Sequence, residues 1–400
     1  MKEYKYLYQK MLDENIIRKA YKKLRRGKTK RKEIIAINAN LDIEVAAMRK
    51  MIENTKPSDV PVDNQDLAYK PCKRTPKYIF EHGKRRKIFM PEIHEQWLHH
   101  IIVLILEPII TATSYRYSCG SFPKRGAHYG KKYILKILKS GQGIRNFGKI
   151  DIRHFYDNIR INILMKELAI RIKDNWFLYI IRLCLKGFKK GIPLGFYISQ
   201  WLANYILEPL DKFITEKLGL KDFVRYMDDM MFFDNAKKKL QAAIVNIKIF
   251  IGRRYRLKLK GNYQVCRFYY EGKRKKIGRP LDFMGFQFYR NKVILRKSIM
   301  IAATRMAKKL ARAKAAGRGY YEKHVKAMLS YVGWFDCTNT YDCYTEYVKP
   351  LANIGKLKKI VSKSDRRKNH YEAVERGTLQ YATRGNGADR TWRIYATPEH

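Results

Sequence analysis

Phe223-Val224-Arg225-Tyr226-Met227-Asp228-Asp229-Met230-Met231-Phe232-Phe233 is the stretch on which the fold turns. Residues 223–226 and 230–233 read as two short apolar strands, and the adjacent aspartates interrupt them as a hairpin tip. Like charges side by side repel and raise each other's pKa, and desolvating them costs free energy. A half-buried pair therefore persists most easily against a cation. Carboxylate oxygens are ligands that Mg²⁺ prefers. Asp is also a favoured turn residue, so the pair alone leaves two readings open, a solvated turn and a cation site.

Upstream, Phe147-Gly148-Lys149-Ile150-Asp151-Ile152-Arg153-His154-Phe155-Tyr156-Asp157-Asn158-Ile159 offers a third carboxylate. On a strand at 147–152, Ile150 and Ile152 share one face and Asp151 takes the other. Laid beside the hairpin, that strand brings three carboxylates together. Such a set can hold two Mg²⁺ ions, one activating a 3′-hydroxyl and one steadying a leaving pyrophosphate. Further strands at 282–289 and 292–296 accompany helical stretches at 161–186, 199–217 and 235–253. Several strands follow each other directly, which predicts an α+β class built on an antiparallel sheet rather than a doubly wound one.

The flanks are basic. Helical periodicity covers residues 4–26 and 33–54, and the loop between them carries Arg25, Arg26, Lys28, Lys30 and Arg31, a density that suits phosphate contact. A breaker-rich joint follows at 56–61. Residues 299–316 and about 320–332 are again helical, with Lys308 and Arg312 on a cationic face, and 356–400 are expected to form a loosely ordered basic tail. Across 400 residues, 85 Lys and Arg oppose 36 Asp and Glu, a net charge of +49 that calls for a polyanionic partner. With 46% hydrophobic and 13% aromatic residues the chain can build cores, which argues against disorder. The most apolar run, Ile101 to Leu106, is expected to stop at Glu107-Pro108, short of a membrane span. Neither a secretory signal nor a Cys-x-x-Cys pair is seen, so a cytoplasmic protein without structural zinc or disulfides is expected. His99, His100 and His128 lack metal-ligand company and read as packing or solvent residues.

Asp151 with Phe155-Tyr156, then Gly191-Ile192-Pro193-Leu194-Gly195-Phe196-Tyr197-Ile198-Ser199-Gln200-Trp201-Leu202-Ala203-Asn204, then Tyr226-Met227-Asp228-Asp229, then Leu281-Asp282-Phe283-Met284-Gly285-Phe286 stand in the order and spacing of reverse transcriptase motifs A, B, C and E. From about residue 80 to 350 the chain resembles that family. The resemblance implies a right-hand polymerase fold: an N-terminal helical arm (1–56), fingers (57–145), a palm (146–296, with fingers helices at about 160–190), a helical thumb (297–355) and the tail (356–400). It implies an RNA-directed DNA polymerase, a nucleotidyltransferase that makes cDNA on a primed RNA template from dNTPs.

Roles follow residue by residue from the same resemblance. Asp151, Asp228 and Asp229 match the catalytic, metal-binding triad, with Ile152 as a further ligand and Asp229 the less direct one, for two Mg²⁺ ions that Mn²⁺ can replace. Tyr156 matches the ring beneath the sugar of the incoming nucleotide, with Phe155 beside it. Leu194, Gly195 and Gln200 belong to the loop that meets the nucleotide and templating base, and Ser199 is expected to cap the following helix. Lys87, within Lys84-Arg85-Arg86-Lys87, and Lys124 or Arg125 would neutralise the triphosphate. In many relatives an arginine stands where this chain has Gly120. Lys260 is a candidate proton donor to pyrophosphate. Phe283, Met284, Gly285 and Phe286 match the primer grip. Arg296 and Lys297 join Lys308 and Arg312 as nucleic-acid contacts, with Lys273-Arg274-Lys275-Lys276 another basic cluster.

Leu194-Gly195 followed by Ser199-Gln200 is similar to the reverse transcriptases of diversity-generating retroelements. Group II intron proteins more commonly have Gln-Gly followed by Ser-Pro. The similarity implies mutagenic retrohoming: copying of a template-repeat RNA with errors at adenines, alongside a small basic oligomeric accessory protein. The alternatives are an antiviral phage-defence reverse transcriptase, a group II intron-like one and, from another class, a non-catalytic RNA-binding protein.

Overall fold

The computed structural model describes residues 2–57, 61–81, 84–139, 144–188, 190–271 and 275–375. Its contacts divide the chain into two units, Met1–Arg279 and Pro280–His400. The first opens with helices α1 (Leu7–Met11), α2 (Glu14–Leu24), α3 (Lys32–Ala39) and α4 (Leu41–Glu53). Where periodicity predicts two long helices, each is interrupted. Asp13 accepts the amide hydrogen of Asn15 at 2.8 Å and starts α2 afresh, a side-chain bond that competes with continuing the helix. At Asn40 the backbone leaves the helical region (φ −132°, ψ 43°).

The hairpin of β1 (Pro76–Glu81) and β2 (Lys84–Phe89) leads into α5 (Ile93–Thr113). The break expected at Glu107-Pro108 does not occur: α5 runs through Pro108 for 21 residues, and an 18-residue stretch of it has a mean hydropathy of 1.3, long and apolar enough to cross a membrane by length and composition. Here it lies in the core, 61% of that stretch buried. Trp97 on α5 donates its indole N–H to the Ile17 carbonyl at 2.9 Å. Tertiary packing of this kind overrides the local break.

Next come β3 (Ser118–Cys119), α6 (Ala127–Lys139), β4 (Asn146–Asp151), α7 (Phe155–Asn158), α8 (Ile161–Arg171), α9 (Asn175–Cys184) and α10 (Tyr197–Lys212). The stretch 161–186 is two helices because Asp174 accepts the Phe177 amide and caps α9. Then follow β5 (Phe223–Tyr226), β6 (Asp229–Asp234), α11 (Lys237–Tyr255), β7 (Gln264–Arg267) and the small ribbon β8 (Tyr270–Glu271) and β9 (Lys276–Ile277). Five strands form one sheet in the order β3-β5-β6-β4-β7, antiparallel throughout except for the two-residue β3–β5 pairing. Ile150, Phe223, Met230 and Phe232 on the sheet are buried in one core with Ile244, Ile247 and Ile251 of α11 and Leu202, Ile206 and Leu210 of α10. The α+β class is therefore as the sequence predicts.

The second unit holds a three-stranded meander, β10 (Leu281–Phe283), β11 (Phe286–Phe288) and β12 (Val293–Leu295), followed by α12 (Lys297–Ala315), α13 (Glu322–Phe335), α14 (Tyr341–Tyr347) and α15 (Ile354–Glu375). The strand predicted over 282–289 is a tight hairpin, turned at Met284 and Gly285 with φ of 51° and 87°, the primed geometry that two-residue hairpins favour. The tail expected from residue 356 is instead helical through Glu375, with Leu357 buried. Residues 376–400 of that expected tail, and Lys273 and Arg274 of the basic cluster, lie outside the described residues.

Candidate active site

β4 lies against β6 in a register that sets Asp151 directly opposite Asp229, and Tyr226 pairs with Asp229 across the β5–β6 hairpin. Met227 and Asp228 make the two-residue turn. Met227 takes a left-handed backbone (φ 55°), uncommon for a bulky residue. Bonds at both ends hold it: its amide donates to the Cys119 carbonyl at 3.3 Å and its carbonyl accepts from Arg225 Nη1 at 3.1 Å. The Ile152 amide donates to the Asp228 carbonyl at 3.4 Å. Ile150 and Ile152 are buried beneath, so the alternation read from the sequence brings all three carboxylates to one end of β4.

Their electrostatics are those of a site short of positive charge. Burial, and after it the Asp151 carboxylate, raise Asp228 to about 6. Burial raises Asp229 to about 7; Asp151 and Asp228 add to the shift and Lys149 opposes it. Two ammoniums supply part of what is missing. Lys149 Nζ lies 3.6 Å from Asp229 Oδ2, and Lys260 Nζ is paired with Asp151 Oδ2. The other oxygens, Asp151 Oδ1 and Asp229 Oδ1, are buried and receive no hydrogen bond among the described residues. Among the described residues, no three His, Cys, Asp or Glu side chains stand ready-made as a metal cluster. The donor set still fits hard divalent cations: carboxylate oxygens, two of them buried without a donor among the described residues, with Asp228 and Asp229 raised in pKa in the sense that a bound cation reverses.

Around this centre the predicted residues divide. Tyr156 is half-buried beside Phe155, ring centroids 5.6 Å apart; burial first, and then Asp228, push its phenol up, so the ring is neutral. Phe155, grouped with Tyr156 as a nucleotide contact, is instead a core residue, 2% exposed. Gly195 has φ +99°, and a Cβ there would stand 2.2 Å from the Phe89 carbonyl oxygen. The room it leaves is filled by the end of β2, whose Phe89 amide also donates to the Leu194 carbonyl at 2.7 Å. Leu194 is half-buried and Gln200 exposed. Ser199 does not cap α10: the helix starts at Tyr197, and the buried Ser199 hydroxyl has no hydrogen-bond partner among the described residues. Lys87 and Lys124 are exposed, whereas Arg125 donates to Ser114 Oγ at 2.9 Å and lies over Phe122. His99 and His100 are packing residues, against Phe196 and Tyr197, and burial lowers them to about 4 and about 3.

Of the arm loop, Arg26, Lys30 and Arg31 are exposed, while Lys28 Nζ is tied to Gln96 at 2.9 Å and Arg25 reaches Asn38. In the second unit Phe283 and Phe286 are fully buried and Gly285 packs against Ile299 and Trp334, leaving Met284 at the turn as the more accessible residue of that hairpin. Arg296, expected on nucleic acid, donates from Nε to Asp282 at 2.8 Å. Lys297, Lys308 and Arg312 are exposed.

Two residues at the site were missed from sequence. Lys149 sits two positions before Asp151, and the period of two along a strand places it on the same face. Arg225 is a lone cation within the apolar run 223–226; that position was itself the signal, because a charge inside a buried strand needs a buried partner.

Residues 73–288 match the family described as reverse transcriptase (RNA-dependent DNA polymerase). Protein YkfC of Escherichia coli (strain K12) is 24% identical over 162 residues, 37% of this chain and 42% of that protein. Group II intron-encoded protein LtrA of Lactococcus lactis subsp. cremoris is 29% identical over 143 residues, 33% of this chain and 23% of that protein. The chain thus spans less than half the length of these curated relatives. Among solved structures, telomerase from Candida albicans in complex with a fragment of telomeric RNA is similar with a TM-score of 0.45 at 15% identity, over 70% of this chain and 55% of that one. Apo telomerase from Candida tropicalis gives 0.44 at 13% identity, over 68% and 53%. Both likenesses are loose.

Proposed function

Because the chain belongs to the reverse transcriptase family, we propose that it is an RNA-directed DNA polymerase that extends a primer on an RNA template from dNTPs, and that it serves as the error-prone enzyme of a diversity-generating retroelement. The observation that carries the catalytic part is the β4–β6 register setting Asp151 opposite Asp229, with Asp228 on the adjoining turn. Asp151 and Asp228, with the Ile152 carbonyl and Asp229 beside them, would hold two Mg²⁺ ions. When bound, such ions stabilise charge developing on the reacting phosphate and make a 3′-hydroxyl a better nucleophile.

The remaining roles belong to the chain itself. The neutral ring of Tyr156 supplies bulk that leaves no room for a 2′-hydroxyl. Lys260, paired with Asp151, is the candidate proton donor to pyrophosphate. The exposed Lys87 and Lys124 offset triphosphate charge, and exposed cations within each unit, Arg26, Lys30 and Arg31 in the first and Lys297, Lys308 and Arg312 in the second, are available for phosphate contacts. The arrangement of Leu194-Gly195 and Ser199-Gln200 supports the retroelement assignment, with a template-repeat RNA, a cDNA product and a small basic accessory protein as partners in the cytoplasm of a bacterial or phage-infected cell.

The likeness to LtrA favours a second reading, a group II intron-like enzyme. Sequencing the nucleic acid that co-purifies with the protein separates the two. A repeat RNA with cDNA altered at template adenines supports the first, intron RNA with faithful cDNA supports the second, and RNA with no cDNA at all contradicts both.

A further inference from the structure

The hairpin that carries Asp228 and Asp229 is held from behind by one buried side chain. Arg225 is 1% exposed. Its guanidinium forks onto Asp211 of α10, Nε to Oδ1 at 2.7 Å and Nη2 to Oδ2 at 2.6 Å. Nη1 then reaches two further acceptors, Asn204 Oδ1 and the Met227 carbonyl, each at 3.1 Å. Asn204 is itself fixed, donating through Nδ2 to the Gly120 carbonyl at 3.3 Å and to the Gln200 carbonyl at 3.2 Å. One planar group thus joins α10, the segment at Gly120 and the turn that bears the aspartates.

The Met227 bond matters most. Met227 is in the left-handed region, a conformation that a bulky side chain adopts only when its surroundings impose it. Its amide is held by Cys119 and its carbonyl by Arg225, so the direction in which the next residue, Asp228, leaves the turn is set at both ends. An Asp211–Arg225 pair serving only to neutralise buried charge needs the forked bond alone. The additional bond from Nη1 to the turn carbonyl has no part in that neutralisation.

We infer that Arg225 is a positioning residue for the carboxylate site, fixing the Met227-Asp228 turn against α10 through Asp211 and Asn204. The inference rests on the polymerase reading for its kinetic consequence, but not for its structural one. A fork of this geometry is specific to guanidinium: lysine keeps the charge beside Asp211 but cannot also span Asn204 and the Met227 carbonyl. A buried ion pair, unlike a positioning contact, can be replaced by apolar residues of similar volume without loss of the fold.

Two variants of the full chain therefore separate the roles, Arg225→Lys and the double replacement Arg225→Met with Asp211→Leu. Folding is followed by circular dichroism and melting, local order by amide hydrogen exchange of the peptide spanning residues 226–230, and turnover by primer extension. Both variants are expected to fold. Exchange in the 226–230 peptide should rise at least tenfold while the β4 peptide changes little, and extension should fall on the order of 100-fold, the scale of a misplacement of about 1 Å. Wild-type exchange and extension in the folded double variant would overturn the inference, leaving Arg225 as a counter-charge. Failure of both variants to fold would also overturn it, by assigning the residue to the core alone. If wild-type protein extends no primer, the polymerase reading fails, while the exchange comparison still decides the role of Arg225.

Discussion

Asp229→Asn removes a charge that the fold holds at a cost, and in metal-free buffer at pH 7.5 the variant should be more stable than wild type. Burial raises this carboxyl from 3.8 to about 7 in spite of Lys149, and at 1.36 kcal/mol per unit that amounts to about 4 kcal/mol. The side chain keeps 30% of its surface exposed, and screening by solvent reduces the figure to about 2 kcal/mol. At roughly 2–4 °C per kcal/mol for a domain of about 200 residues, the melting temperature should rise on the order of 6 °C. The sign carries over to pH. Between about pH 4 and pH 7 the folded state keeps a proton on Asp229 that the unfolded chain releases, so acidification through this window favours the fold. Melting in EDTA at pH 7.5 and pH 5.5 tests both points: wild type should gain on acidification, and the variant should gain less. Added Mg²⁺ should stabilise wild type more than the variant. A variant that melts below wild type at pH 7.5 would refute the reasoning, because it would mean that the Lys149 attraction outweighs burial.

Tyr156→Ala should let the protein incorporate ribonucleotides, read as a rise of tenfold or more in rNTP relative to dNTP incorporation; unchanged sugar discrimination would remove the ring from that role. Gly195→Ala should destabilise the first unit by about 3 kcal/mol, because a Cβ 2.2 Å from the Phe89 carbonyl oxygen and a φ of +99° both oppose it. Urea denaturation checks this, and an unchanged midpoint would mean that the loop relaxes freely. Replacing Arg26, Lys30 and Arg31 by Ser should lessen the salt dependence of RNA binding, the slope of log K against log salt falling by up to about 2 for single strands. An unchanged slope would place the arm loop away from RNA.

The sheet was legible because its strands carry their instructions locally. Ile150 and Ile152 bracket Asp151, and apolar residues flank Asp228-Asp229, so both the strand faces and the hairpin tip follow from a period of two. The limits of the helices were less legible. Asp13 and Asp174 restart helices through side-chain bonds, and α5 continues past an exposed Pro108 to Ile109 and Ile110, which are buried in the core. In the site, residue type pointed to the three aspartates, but the second layer is a matter of pairing across the fold. Arg225 meets Asp211 from 14 residues away and Lys260 meets Asp151 from 109, and no local pattern names such partners. Burial had the opposite effect on Phe155, Phe283 and Phe286, whose motif positions suggest ligand contact and whose side chains complete the cores.

Primer extension tests the central claim most directly. Purified protein supplied with a DNA- or RNA-primed RNA template, dNTPs and Mg²⁺ should lengthen the primer by template-directed steps, and Asp151→Asn or Asp228→Asn should abolish lengthening while RNA binding persists. Extension that survives both substitutions, or RNA binding by the wild-type protein without any extension, would contradict the assignment of these carboxylates to nucleotidyl transfer.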